Sequence, residues 1–227
     1  MKPVAVSDTS CLLTLGTQIN ATTASRVRAA CALIEQRLGT ALIDLVPSYT
    51  TVLVEFDPLQ LTATQCLQQL ADVPALAQAG EHDSAAQCIE IPVYYGDEVA
   101  PDMAAVCQHS GLSRDEIIRC HSAPEYRVYA IGFAPGFCFL GTLDPRLQLP
   151  RRAEPRPKVP AGSVAIAEQQ TAVYPLDTPG GWHLIGRTTQ DMLALCSAEL
   201  QPLRVGDHIR FVPVARADFV AAGGSLK

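Results

Sequence analysis

The sequence predicts an α+β protein built in two parts, a small split α/β sandwich followed by a closed or nearly closed β barrel. Three observations carry this. Before position 88, apolar patterns alternate between strand and helix periods in the order β-α-β-β-α. After Gly96 the chain breaks into many short apolar runs separated by Gly and Pro, the texture of a barrel rather than of a parallel sheet. The length of 227 residues, with 48% hydrophobic and 18% charged side chains, suffices for one large core or two compact ones and excludes a disordered chain or a disulfide mini-protein.

Residues 10–15 read as a strand. From Thr22 to Leu38, Val27, Cys31, Ile34 and Leu38 recur at helical spacing, and Gly39 supplies a stop. Ala41–Val46 and Thr51–Phe56 form a strand pair joined across Pro47-Ser48-Tyr49. Asp57-Pro58 ends the second strand, and Thr62 caps a helix carrying Cys66, Leu67 and Leu70 that stops near Pro74. Cys88–Tyr95 either completes this sheet or begins the next domain. The most polar candidate linker is Glu81–Gln87, so the domains are expected at 1–87 and 88–227. Two short helices follow Gly96. Ser113-Arg114-Asp115-Glu116 is a capping box, which places His121 at the far end of the second helix. The barrel strands are then expected at Tyr126–Ile131, Ser163–Ala167, Thr171–Tyr174, Trp182–Gly186, Met192–Leu195 and His208–Val212.

A formal net charge of -6 argues against the broad basic surface that binding to nucleic-acid phosphates requires, so no nucleic-acid partner is expected. The 8 cysteines contain no CxxC spacing, and Cys31 and Cys66 fall on apolar helix faces, where a thiol packs as a small hydrophobe. The first residues lack the pattern of a signal peptide and no apolar run is long enough to span a bilayer; the expectation is a cytoplasmic chain without a membrane partner. There is no GxxxxGK[ST] loop, GxGxxG, HExxH or GxSxG, and the 5 histidines lack ligand spacing, so no metal site is expected.

The densest unusual region runs from Ile131 to Thr188. In IGFAPGFCFLG, Gly132, Gly136 and Gly141 punctuate Phe133, Phe137 and Phe139 around Pro135, which suits either an irregular barrel closure over an aromatic cluster or the lining of a pocket or interface. Arg146 and PRRAEPRPKVPAG follow. Here Arg151, Arg152, Arg156 and Lys158 are opposed only by Glu154, a local inversion of sign in an acidic protein. Prolines at 150, 155, 157 and 160 stiffen the segment. It is either a prepared site for a carboxylate or phosphate, or a solvated loop paired with the protein's own acids. In QQTAVYPLDTPGGWHLIGRT, Gln170, Thr171 and Tyr174 offer hydrogen-bonding groups, and the turn Thr178-Pro179-Gly180-Gly181 leads to the single Trp182. His121 and Glu125 flank Pro124; the pair suits proton transfer, and a histidine at a helix C-terminus is also favoured by the dipole alone.

These elements in this order, HSAPEYRVYAIGFAPGFCFLGTLDPRL, PRRAEPRPKVPAGSVAIA and QTAVYPLDTPGGWHLIGRT, resemble the 5-oxoprolinase B-subunit family, which includes the sporulation-kinase inhibitor KipI and was long labelled allophanate hydrolase subunit 1. The resemblance covers nearly the whole chain and is most specific between His121 and Thr188. It implies an N-terminal α/β domain joined to a cyclophilin-like β barrel. It also implies two partners, a C-subunit that is a second cyclophilin-like barrel and an A-subunit of the LamB/YcsF type. Together they open 5-oxo-L-proline to L-glutamate at the expense of ATP, with Mg2+ accompanying the nucleotide, and the single chain is expected to be inactive alone. On this resemblance Arg151, Arg156 and Lys158 bind substrate or phosphate, Gln170, Thr171 and Tyr174 orient substrate, and His121 or Glu125 moves a proton. Phe133, Pro135, Gly136, Phe137, Pro179, Gly180, Gly181 and Trp182 line a pocket or interface. The chain departs from the family at Cys138-Phe139, where Pro-Tyr is usual, and at Ala167-Glu168-Gln169, where glycine is common. Two alternatives stand beside this reading. One is a KipI-like inhibitor of a sensor histidine kinase. The other is a carboxyltransferase-type component related to urea carboxylase, which would need biotin on a separate carrier because no Met-Lys-Met sequence is present.

Overall fold

The computed structural model describes residues 2–79, 86–197 and 202–226, and the chain divides into two units, Met1–Ala86 and Gln87–Lys227. Of the expected linker, 81–85 lies outside the described residues. Gln87 is held to the second unit by bonds from its backbone N–H (3.3 Å) and side-chain amide (3.0 Å) to the Asp207 carboxylate.

The first unit contains β1 (Val4–Ala5), β2 (Ser10–Thr14), α1 (Ala21–Leu38), β3 (Leu42–Pro47), β4 (Thr51–Phe56), α2 (Ala63–Leu70) and α3 (Val73–Ala79). Its antiparallel sheet has the order β1-β2-β4-β3. Strand alternation buries Leu13, Val52, Val54 and Phe56, and α1 adds Val27, Ala30 and Ile34 to the same core. The Asn20 side chain accepts from the Thr23 N–H (2.8 Å) to start α1, and Gly39 at φ +48° ends it. Thr62 and Gln65 form a reciprocal capping box on α2. That helix stops at Leu70, not near Pro74. Pro74 instead occupies the first turn of α3, where the missing N–H has no intrahelical partner to lose.

The second unit contains β5 (Cys88–Val93), α4 (Met103–Ser110), α5 (Arg114–Ser122), β6 (Tyr126–Ile131), β7 (Cys138–Gly141), β8 (Arg156–Val159), β9 (Ser163–Ala167), β10 (Gln170–Val173), β11 (Thr178–Gly180), β12 (His183–Arg187), α6 (Met192–Cys196), β13 (His208–Pro213) and α7 (Arg216–Ala221). A 7-stranded sheet runs β12-β9-β10-β7-β6-β13-β5. Its two ends meet where Tyr94 and Arg187 exchange backbone hydrogen bonds of 2.9 and 2.8 Å, nearly closing a barrel and leaving little free edge. β5 therefore belongs to this sheet, parallel to β13, and does not complete the first one. The capping box at Ser113 starts α5 as expected.

Two expectations are corrected. Met192–Leu195 is helix α6, because the Asp191 side chain caps the Ala194 N–H (3.0 Å) and Met, Leu and Ala favour a helix once it is started. Thr178–Gly180 is not a free turn but the short strand β11, paired with β8 in a 2-stranded ribbon.

All 8 cysteines are free thiols; Cys66 is fully buried, whereas Cys31 is only half-buried. Among the described residues no helix is long and apolar enough to cross a membrane.

Candidate functional site

The sheet period separates residues that are adjacent in sequence. Along β10, Ala172 and then Tyr174 face an apolar cluster with Phe137, Val159, Ala165, Ala167, Trp182 and Leu184. Thr171, between them and the strand's start, faces the other way, towards His121. Phe137 meets Tyr174 and Trp182 edge-on at 5.2 and 5.8 Å between ring centroids. Gly136 (φ +79°) lets the turn before Phe137 lie against α6, since a Cβ there would meet the Leu193 backbone N at 2.9 Å. Gly180 is needed for a different reason: a Cβ would stand 2.3 Å from the Tyr174 hydroxyl. Phe133 is 67% exposed beside Phe137, and at φ +70° it holds a conformation that bulky residues rarely adopt. Pro135, in the same loop, and Pro179, in β11, are exposed. Phe139, at the family departure, packs on Trp182 at 6.1 Å, and Cys138 is buried.

The arginine segment is stitched onto this cluster. Arg152 donates its backbone N–H to the Gly181 carbonyl (2.8 Å), and Arg156 pairs with Gly180 across the β8–β11 ribbon. The segment's cations then divide. Lys158 is exposed and pairs with Asp177 at 2.8 Å, and exposed Arg151 lies 3.7 Å from the Glu168 carboxylate. Arg152 and Arg156 turn inward, and both reach one oxygen, Asp102 Oδ1, at 2.8 and 2.7 Å. Asp102 Oδ2 accepts the Leu184 N–H at 2.7 Å. Burial alone would raise the Asp102 pKa. The bonds from Arg156 and the Leu184 N–H, with the charges of both arginines, outweigh burial and hold the carboxyl below its usual range. Burial raises the Tyr174 phenol, which stays protonated at neutral pH and able to donate. Arg152 Nε and Arg156 Nη1 are buried without a hydrogen-bond partner.

His121 belongs to a different environment. It is fully buried, with Nε2 at 2.8 Å from Thr171 Oγ1 and Nδ1 at 2.8 Å from Tyr95 Oη. Thr171 spends its own hydrogen on the Ala165 carbonyl (3.0 Å), so His121 Nε2 carries the proton and Nδ1 accepts from Tyr95. The ring stacks on Phe211 at 4.6 Å. Burial pulls the His121 pKa down to about 3, which keeps it neutral. Glu125 is exposed and acts instead on the Cys88 thiol, whose pKa rises mainly by burial and then by this carboxylate. The expected His121–Glu125 proton-transfer pair is therefore not formed: the histidine lies inside the apolar core and the carboxylate outside it. Thr171 likewise serves His121 and not the apolar cluster that Tyr174 faces. Gln170 opens β10 opposite Ala167 and Gly141.

Asp102 was not visible to sequence reasoning. It occupies the N-cap position of α4, where an aspartate ordinarily caps the helix, yet its side chain makes no cap bond because the arginines and Leu184 take it. Among the described residues no group of His, Cys, Asp and Glu is arranged to hold a metal ion.

The fold and this site define a carboxyltransferase-type module: the chain matches the family "Carboxyltransferase domain, subdomain C and D" over residues 1–202 and belongs to it. Within that class it belongs to the 5-oxoprolinase B-subunit family. It is 37% identical to the 5-oxoprolinase B-subunit of Bacillus subtilis, over 95% of this chain and 94% of the relative. It is 41% identical to the 5-oxoprolinase B-subunit of Escherichia coli O157:H7, over 92% of this chain and 94% of the relative. The crystal structure of TTHA0988 superposes with a TM-score of 0.76 at 35% identity, covering 91% of this chain but only 40% of that longer one. The Kluyveromyces lactis urea carboxylase structure shares the fold at a TM-score of 0.74 and 16% identity, over 96% of this chain and 22% of that one.

Proposed function

We propose that this chain is the B-subunit of an ATP-dependent 5-oxoprolinase, which opens 5-oxo-L-proline to L-glutamate together with a C-subunit, a second barrel, and an A-subunit of the LamB/YcsF type. One observation carries the reading. In a chain whose curated relatives are named as 5-oxoprolinase B-subunits, the arginine segment presents the paired, partly exposed guanidiniums of Arg152 and Arg156 and is joined through Gly180 and Gly181 to the element that carries Tyr174 and Trp182. Such a pair binds an anion. It contributes one wall of a composite site. His121 is neutral and sealed, and Glu125 stands apart from it, so proton transfer falls to another member of the complex.

The test is co-expression with the products of neighbouring genes and measurement of ADP release that depends on 5-oxo-L-proline. Arg156→Ala is expected to lower turnover about 100-fold in a complex that still assembles. Full activity in that variant overturns the anion-binding role. The family's carboxyltransferase character favours a second reading, transfer of a carboxyl group from a biotinylated carrier. Turnover that requires such a carrier and bicarbonate would replace the first reading with this one. Absence of turnover with every neighbouring product would favour the kinase-inhibitor alternative.

A further inference from the structure

Charge and geometry at Asp102 narrow what the arginine pair binds. Arg152 and Arg156 converge on the single oxygen Oδ1 while Leu184 holds Oδ2, and the Leu184 carbonyl also accepts the Asp102 N–H at 3.2 Å. The carboxylate, 4% exposed, is thus gripped from its own backbone side and cannot swing away. Two guanidiniums on one carboxylate leave one net positive charge. The segment's other cations do not add to it, because Lys158 and Arg151 face Asp177 and Glu168 at the surface. Arg152 and Arg156 keep 32% and 22% of their side chains exposed, so the pair is reachable. Two of its N–H groups, Arg152 Nε and Arg156 Nη1, are buried with no partner within the chain. The segment is joined through its backbone, at Gly180 and Gly181, to the strand and turn that lead into the buried aromatic cluster.

A guanidinium fork matches a carboxylate and a phosphate alike, but a nucleotide's phosphates carry several negative charges and a carboxylate only one, which the pair's single net positive charge balances. We propose that Asp102 is a positioning residue for substrate recognition: it holds Arg152 and Arg156 in one register and trims their charge, so that the pair takes the carboxylate of a small cyclic substrate rather than the phosphates of ATP. This rests on the reading of the chain as an oxoprolinase component, and it gives the arginine pair the 5-oxo-L-proline carboxylate as its ligand. Without Asp102 the two like charges repel each other and turn to solvent.

The experiment measures KM for 5-oxo-L-proline, KM for ATP and kcat on the assembled complex. The variants are Asp102→Asn, Arg152→Ala with Arg156→Ala, and all three together. The asparagine keeps an oxygen for the Leu184 N–H but loses the charge. Asp102→Asn is expected to raise KM for 5-oxo-L-proline about tenfold or more, to leave KM for ATP unchanged, and to add no further loss once both arginines are gone. An equal further loss in the arginine-free background would make Asp102 merely structural and overturn the inference. So would a rise confined to KM for ATP, or no change in either constant. If Asp102→Asn fails to assemble, Arg152→Lys with Arg156→Lys decides. It keeps the charges but loses the planar fork, and the same selective rise is expected; its absence counts against the inference. Full activity without both arginines would instead overturn the anion-binding role itself, and absence of turnover in the unaltered complex would remove the oxoprolinase reading and this inference with it.

Discussion

Two polar clusters sit inside the second unit, and they are built to opposite rules. Around His121 the polar atoms are matched: Tyr95 donates to one ring nitrogen, Thr171 accepts from the other and passes its hydrogen to Ala165, and the Tyr126 hydroxyl bonds the His121 carbonyl at 2.9 Å. This network buries no charge. Around Asp102 the charges do not cancel, and guanidinium N–H groups remain without partners. A closed, neutral network specifies a unique core. The charged one leaves a net positive charge on partly exposed guanidiniums, open to an anion from outside the chain. The contrast supports the proposal that His121 serves the fold and the arginine pair the function, although the family motif contains both His121 and Arg156.

Several substitutions test this division. The largest effect is expected at the open cluster, where Arg156→Ala costs about 100-fold in turnover with little change in assembly. At the closed cluster the effect is on stability. His121→Ala is expected to destabilise the unit by about 2–4 kcal/mol in denaturant titrations, without shifting the pH profile of the turnover that remains. Because burial lowers the folded-state pKa of His121 from its ordinary 6.5 to about 3, the unfolded chain binds the extra proton first. Stability from this group is therefore full above about pH 6.5 and declines as pH falls towards 3, by up to about 1.4 kcal/mol per pH unit. His121→Asn should flatten that part of the profile. A smaller pair of changes separates the two faces of β10. Thr171→Val and Tyr174→Phe each remove a buried, hydrogen-bonded hydroxyl and should each cost about 1–2 kcal/mol of stability, but turnover per folded molecule should stay unchanged in the first and fall several-fold in the second. The reverse pattern would undo the division. Least of all, Lys158→Ala should leave the melting temperature nearly unchanged and turnover within about twofold of the unaltered complex, because its pair with Asp177 is solvated.

Short-range features were legible from residue order alone. The helix cap at Thr62, the capping box at Ser113, strands Thr51–Phe56 and Tyr126–Ile131, and the helix ending at Gly39 all depend on contacts within a few residues. The three motif elements were legible as a group. Their chemistry was only half legible: the spacing of Arg151, Arg156 and Lys158 marks a cationic segment, but not which cations turn inward. Residue order likewise set Thr171 close to Tyr174 without revealing that they serve separate clusters.

What the sequence by itself determined is the two-part α+β character, the local capped elements and the inversion of charge after Leu149, because propensity, periodicity and composition act over short stretches of chain. Only the tertiary structure decided that β5 joins the second sheet, that β8 pairs with β11, that His121 is sealed against proton exchange, and that Asp102 reaches across 50 and 54 positions to Arg152 and Arg156. Each of these depends on which distant segments are brought together, and burial and charge pairing follow from that closure rather than from any residue's neighbours in the chain.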